Sequence, residues 1–302
     1  MEAAMSTTRG TIEMTVAMAI SGTIGVFVVF SGQPIVDIVL WRCVFGAVPL
    51  LVACAALGLF RPGIITWRQF TLAVLGGVAI VANWLLLFAA YPLASISMAT
   101  AVYNTQPFML VGFGALFLGE RLTGHKLAWL AIAFAGVVLI ANAKAGPGGT
   151  DYLAGIALSL GAAFCYAVAA FITKRLKGVP PHLIALIQVG VGMLMAAPFA
   201  NLTQLPTAHD TWLSLAAIGA VHTGLVYILL YGAIQKLPTH LTGALSFIYP
   251  VVAIVADFVV FGHWLGLSQL VGAAAILVAA AGMTLGWRPF RGPWRRTRLA
   301  GD

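Results

Sequence analysis

The sequence predicts an all-α integral membrane protein of ten transmembrane helices, arranged as a 5+5 inverted-topology repeat around a central cavity. Three observations carry this. The 302 residues are 61% hydrophobic and only 8% charged, with a mean hydropathy of +1.01, which no soluble core of this size requires. Ten apolar stretches are long enough to cross a bilayer core of about 30 Å. The basic residues fall almost entirely on one side of those stretches.

In chain order the stretches lie near 12–31, 35–59, 68–90, 95–119, 124–142, 152–174, 182–199, 211–234, 240–262 and 268–287. The first follows Arg9 but runs straight into the bundle, so it is not read as a cleaved leader. Most linkers are short and carry Pro, Gly or charge. The longest, 143–151 with Gly146-Pro147-Gly148-Gly149, separates a first repeat, 11–142, from a second, 152–287. A basic tail, 288–302, follows.

Charge placement orients the spans. With the N-terminus cytoplasmic, fourteen Lys and Arg fall on the inner side, only Lys144 on the outer side, and Arg42 inside a span. Such a bias puts both termini in the cytoplasm. It also accounts for the net charge of +8 without a nucleic-acid partner. In the tail, Trp287-Arg288-Pro289-Phe290-Arg291 and Trp294-Arg295-Arg296 read as an interfacial anchor, with anionic-lipid binding as the alternative. Cys43, Cys54 and Cys165 lie within spans, and Cys43 and Cys54 are about 16 Å apart on one helix, too far to pair. Reduced structural thiols are expected, with no metal and no cofactor.

The fourth span is the most specific. Its apolar run is interrupted halfway by Tyr103-Asn104-Thr105-Gln106-Pro107 and resumes over 108–118. Pro107 removes one backbone donor near the midplane, and the carbonyl it frees must face protein or a wet cavity. At helical spacing Ser97, Thr100, Tyr103, Asn104 and Pro107 share one arc, opposite Met98, Val102 and Met109. The alternative is a packing helix whose hydroxyls and amides only bond to neighbours.

The halves resemble each other. At an offset of 146, Gly32, Pro34 and Gly46 fall on Gly178, Pro180 and Gly192. At 143, Ala90, Ala101, Pro107, Gly119 and Leu122 fall on Ala233, Ala244, Pro250, Gly262 and Leu265. Five spans is an odd number, so the second half must insert upside down. Inverted repeats with interrupted midplane helices are a transporter design, with the site at the repeat interface. Pro107 and Pro250 are then hinge candidates.

Depth sorts the polar residues. Ser21, Asn104, Tyr166, His222, Tyr227, Ser246 and Tyr249 fall in the middle third of their spans, and Tyr103 adjoins Asn104. Gln106 has the same depth but lies about 80° from Asn104 on a continuous helix, a weaker candidate. Asn83 and Trp84 lie nearer the outer face. Each alone could be an inter-helix hydrogen bond; together they point to one cavity with an aromatic wall and neutral dipoles. His222 either meets a substrate carboxylate, carries a coupled proton, or is a neutral His bonded to a neighbouring helix.

Arg42 and Asp257 lie at similar depth on spans two and nine. They are expected to pair, either as a fixed structural bridge or as a coupling or gating element. Arg42 is about 10 Å in from the outer face and is expected to be structural; the middle third holds no Lys or Arg, which disfavours phosphorylated substrates. The expected substrate is small, neutral or zwitterionic, and held without a fixed charge. No His-Glu-x-x-His pattern, intramembrane Asp pair or Ser-Lys dyad supports the alternative of a membrane-embedded enzyme. A channel would need a selectivity ring, usually by oligomeric symmetry, whereas a monomer with pseudo-two-fold symmetry suits alternating access.

The run Gly119-Glu120-Arg121-Leu122-Thr123 after the span with Pro107, then Gly136-Val137, resembles the drug/metabolite transporter superfamily, EamA type. Arg42 and Lys174-Arg175 fit its pattern, and the resemblance covers 11–287. Within it the chain looks like YddG-type exporters of aromatic and other amino acids. The resemblance implies the ten-helix fold, a bacterial inner-membrane location and export from the cytoplasm. Other small neutral or cationic metabolites or drugs are the alternative cargo. The second half departs from the motif, with His263-Trp264-Leu265-Gly266 where Glu-Arg-Leu-Thr would stand, so no role passes to His263. Glu120 reads as a structural contact at a helix end.

Overall fold

The computed structural model describes residues 2–118, 123–142, 149–237 and 239–287. The Gly119–Leu122 part of the motif, most of the central linker and the basic tail lie outside the described residues. The described residues contain helices and no strand: α1 (Glu2–Ser31), α2 (Ile35–Ala56), α3 (Trp67–Tyr103), α4 (Gln106–Leu118), α5 (Gly124–Asn142), α6 (Gly149–Thr173) and α7 (Pro181–Ala196). Then come α8 (His209–Ala216), a π-helical stretch (Ala217–Leu225), α9 (Val226–Lys236), α10 (Thr239–Ser246), α11 (Ile248–Phe261) and α12 (Leu267–Leu285). Nine helical stretches among the described residues are long and apolar enough to cross a membrane, and Gln106–Phe117 is a shorter apolar helix.

The third and fourth predicted spans join more closely than expected. Pro92 is accommodated inside α3, which leaves helical geometry only at Ser95 (φ 67°, ψ 159°). That conformation is ordinarily reserved for glycine and costs on the order of 1–3 kcal/mol. Two hydrogen bonds fix the helix that restarts there. The Ser95 Oγ accepts from Met98 N at 3.4 Å, and Asp257 Oδ2 accepts from Ser97 N at 2.9 Å. A carboxylate at a helix N-terminus meets orphan donors and the positive end of the dipole.

The prolines do not sit within kinks. The break in the fourth span falls at Asn104 and Thr105, and Pro107 is the second residue of α4. A break at Phe247 likewise precedes Pro250, the third residue of α11. Proline suits the first turn, where its missing N–H would have no helical partner. Each proline therefore starts a helix rather than bending one.

Packing is close where small residues meet. A Cβ on Gly136 of α5 would lie 2.7 Å from the Gly272 carbonyl of α12, and one on Gly272 equally close to that of Gly136. Among the described residues α1 packs on α8–α9 and on α10–α11, while α6 packs on α3 and α4. In the same way α2 meets α7 and the π-helical stretch, α7 meets α3, and α5 meets α12.

Candidate functional site

A cavity of about 410 Å³ runs between these helices. All nine residues proposed as substrate-binding from sequence line it: Asn83, Tyr103, Asn104, Gln106, Tyr166, His222, Tyr227, Ser246 and Tyr249. Pro107, Ser21 and Trp84 line it too, whereas Pro250 does not. The lining reaches Met14 in the first half of α1 and Thr284 in the last turn of α12. The cavity thus extends toward the face at which α1 begins and α12 ends.

The break at residues 104 and 105 explains Gln106. It resets the helical phase, so the angular offset that separated Gln106 from Asn104 no longer holds. Its Oε1 is buried with no hydrogen-bond partner among the described residues. Asn104 donates from Nδ2 to the Thr100 carbonyl at 2.8 Å, and Asn83 from Nδ2 to the Ala162 carbonyl at 2.8 Å. Both side-chain amides are therefore fixed from behind. Tyr103 and Tyr166 meet edge to face at 5.9 Å between centroids, and Tyr227 stacks on Tyr231 at 5.8 Å.

The π-helical stretch aims two residues. Its wider turn lets His222 Nδ1 donate to the Ala217 carbonyl five residues back at 2.9 Å, and Thr223 Oγ1 to the Ile218 carbonyl at 3.0 Å. Such bulges recur at functional sites. His222 Nε2 lies 3.0 Å from Thr23 Oγ1 on α1, which is also 2.8 Å from the Ile20 carbonyl. The hydroxyl can give its proton to a neutral Nε2, or receive one from Nε2–H while donating to Ile20. The network accommodates either protonation state without heavy-atom movement, and His222 is also bonded to a neighbouring helix.

Arg42 and Asp257 do not pair. Arg42 is 5% exposed, donates from Nε to Thr223 Oγ1 at 2.9 Å, and has no carboxylate partner among the described residues. Its guanidinium lies 4.0 Å from the Trp84 ring centroid and 5.4 Å from that of Phe88. It lines the cavity, so the expectation of a site without fixed charge is also corrected. The cause is the close contact of α2 with the π-helical stretch. A Cβ on Gly219 would come within 2.9 Å of the Arg42 carbonyl, and one on Gly224 would overlap Pro49. Two glycines bring Thr223 up to Arg42. An arginine inside an apolar span was the signal available in the sequence.

Asp257 is fully buried beside a second cavity of about 370 Å³, lined by Tyr91, Ser95, Gly262, His263 and Gln269 among others. Besides Ser97 N it accepts from the half-exposed His263, whose Nδ1 lies 2.8 Å from Oδ1. Cys43 and Cys54 are buried, and all three cysteines are free. The described residues contain no group of three or more His, Cys, Asp or Glu placed to hold a metal ion.

The architecture and its polar cavity define a membrane protein of the transporter kind. The chain belongs to the EamA-like transporter family, whose model matches twice, at residues 8–142 and 153–285. It is 28% identical over 276 residues to the uncharacterized transporter YxxF of Bacillus subtilis, spanning 91% of this chain and 88% of the relative. It is 26% identical over 199 residues to the aromatic amino acid exporter YddG of Ancylobacter novellus (64% and 68%). It is 28% identical over 196 residues to the threonine/homoserine exporter RhtA of Escherichia coli (63% of each). A solved crystal structure superposes over 97% of this chain and 99% of its own, with TM-score 0.62 and 20% identity, which bears on the fold alone. These relationships point to a transporter rather than an enzyme.

Proposed function

We propose that the protein is a secondary transporter that works by alternating access and exports hydrophobic and aromatic amino acids across the bacterial inner membrane. The observation that carries this is the cavity: nine polar and aromatic residues, separated in sequence, meet around one space of about 410 Å³. That volume fits a small metabolite. The exporter relatives point to amino acids as the cargo class.

The ten-helix, 5+5 inverted reading has two supports. The family model matches each half separately. Helix packing also repeats when each span is exchanged for its counterpart five spans away: α1 against α8–α9 corresponds to α6 against α3, and α2 against the π-helical stretch to α7 against α3. With both termini cytoplasmic, as the basic-residue bias indicates, the cavity opens inward. The outer end is then the side of Ser95 and Asp257.

Counterflow of labelled amino acids in proteoliposomes tests the function. Accumulation with apolar and aromatic amino acids is expected; a panel that gives none would overturn the reading. Orientation has its own test. A cysteine placed within 143–151 should react with an impermeant thiol reagent added outside intact cells, and one beside Lys177 should not. The reverse pattern would invert the topology.

A further inference from the structure

We infer that Arg42 is the carboxylate-binding group of the cavity, so that the substrates are compounds bearing a free carboxylate rather than amines or cationic drugs. The inference rests on the transport reading above and names the substrate class of the same site.

The argument begins with an unmet requirement. An ionised guanidinium buried among apolar helices is costly unless a counter-charge or several acceptors meet it. Among the described residues Arg42 meets only neutral hydroxyls, donating from Nε to Thr223 and bonding also to Tyr227, and has no carboxylate partner. The carboxylate expected to serve it, Asp257, is held by Ser97 and His263 instead. Among the described residues no Asp or Glu lines the cavity. The requirement is therefore left for something that enters.

The mounting of the side chain fits this use. Thr223 holds the inner nitrogen of the fork and Trp84 lies against the guanidinium at 4.0 Å, which fixes the plane. Two parallel N–H groups match the two oxygens of a carboxylate. Apolar surroundings from Trp84 and Phe88 strengthen that pair by excluding water. A phosphate would ordinarily call for further charge-assisted donors, and among the described residues no other Lys or Arg lines the cavity. A monoanionic carboxylate is the better match.

The other end of an amino acid meets neutral acceptors. Gln106 Oε1 has no partner among the described residues and lies on the same cavity. It can accept from an ammonium but supplies no countercharge. Carboxylates of net charge zero or minus one are thus accepted, and net cations are disfavoured by Arg42 itself.

The test uses the full chain in proteoliposomes, with counterflow of L-phenylalanine and four competitors: 3-phenylpropionate, L-phenylalaninamide, 2-phenylethylamine and phenyl phosphate. L-Phenylalanine and 3-phenylpropionate should compete comparably, and the amide and amine about tenfold to a hundredfold more weakly. Arg42→Gln should weaken L-phenylalanine by a similar factor and leave the amide unchanged, while Arg42→Lys keeps part of the preference. The inference is overturned if the amide competes as well as L-phenylalanine against the wild type, if phenyl phosphate outcompetes both carboxylates, or if folded Arg42→Gln transports normally. Should Arg42→Gln fail to fold, the wild-type competitor order decides alone. If no amino acid gives counterflow, the transport reading fails. Stabilisation of the detergent-solubilised protein against heat by 3-phenylpropionate but not by the amide would then still support the carboxylate subsite.

Discussion

Arg42 lies on the wall of one cavity and Asp257 beside another, and the two differ in how their charges are met. Asp257 accepts from the Ser97 amide and from His263, so both of its oxygens are engaged. Arg42 meets two neutral hydroxyls, of Thr223 and Tyr227, and two aromatic rings, with no counter-charge among the described residues. Burial and charge are common to both; satisfaction is not. A complete set of partners marks a residue that holds the fold, and an incomplete one facing a cavity marks a residue that awaits a ligand.

The largest expected effect breaks the comparison from the satisfied side. Asp257→Ala removes two hydrogen bonds to a charged acceptor, each worth about 1.5–3 kcal/mol, and orphans the Ser97 amide. Ser95, strained at φ 67°, also loses the neighbour that secures the restarted helix. Thermal unfolding in detergent should show a loss of about 3 kcal/mol or more, with near-normal transport per folded molecule. Stability equal to wild type, with transport abolished, would move Asp257 to the functional side.

Thr223→Val sharpens the other side. It keeps the shape but removes the acceptor for Arg42 Nε, a loss of about 1.5–3 kcal/mol of charge-assisted bonding. An unfastened guanidinium can still reach a carboxylate, at greater ordering cost. Apparent affinity for L-phenylalanine should fall about tenfold, with the preference for the acid over its amide retained. Loss of that preference would mean Thr223, not Arg42, reads the carboxylate.

Tyr103→Ala and Tyr166→Ala address the apolar end. Their edge-to-face contact at 5.9 Å is worth about 0.5–1.5 kcal/mol beyond burial. Relative transport of phenylalanine and leucine should shift several-fold in either variant, with both rates measured on one preparation. An unchanged ratio would place the side-chain pocket elsewhere.

Hydropathy and depth made the spans and the nine cavity residues legible, because a polar group at the bilayer midplane has few places to point. What they missed depends on geometry no single helix contains. Arg42 and Asp257 share a depth, and depth alone suggested a pair. Their separation follows from Gly219 and Gly224, which draw the π-helical stretch onto α2, and from the break at Ser95, which turns an amide toward Asp257. The π-helix itself has no periodic signature in the sequence. Gln106 was underrated because angular spacing was counted through a break.

The prolines give the smallest expected change in stability and bear on whether the breaks move. Pro107 and Pro250 stand in the first turns of α4 and α11, just after breaks at residues 104–105 and 247. At those positions an added N–H is an orphan donor already, so Pro→Ala at both sites should change stability by less than about 1 kcal/mol. The two sites nonetheless differ, since Pro107 lines the cavity and Pro250 does not. If the breaks are hinges, fixed proline geometry keeps the preceding residues from joining one continuous helix. Alanine would permit that joining, and counterflow should slow in the double variant with substrate affinity held. Pro107→Ala alone should also alter affinity, because it changes a cavity wall, whereas Pro250→Ala alone should alter only rate. Normal rates in a folded double variant would assign both prolines to helix initiation and leave the hinge to the irregular backbone before them.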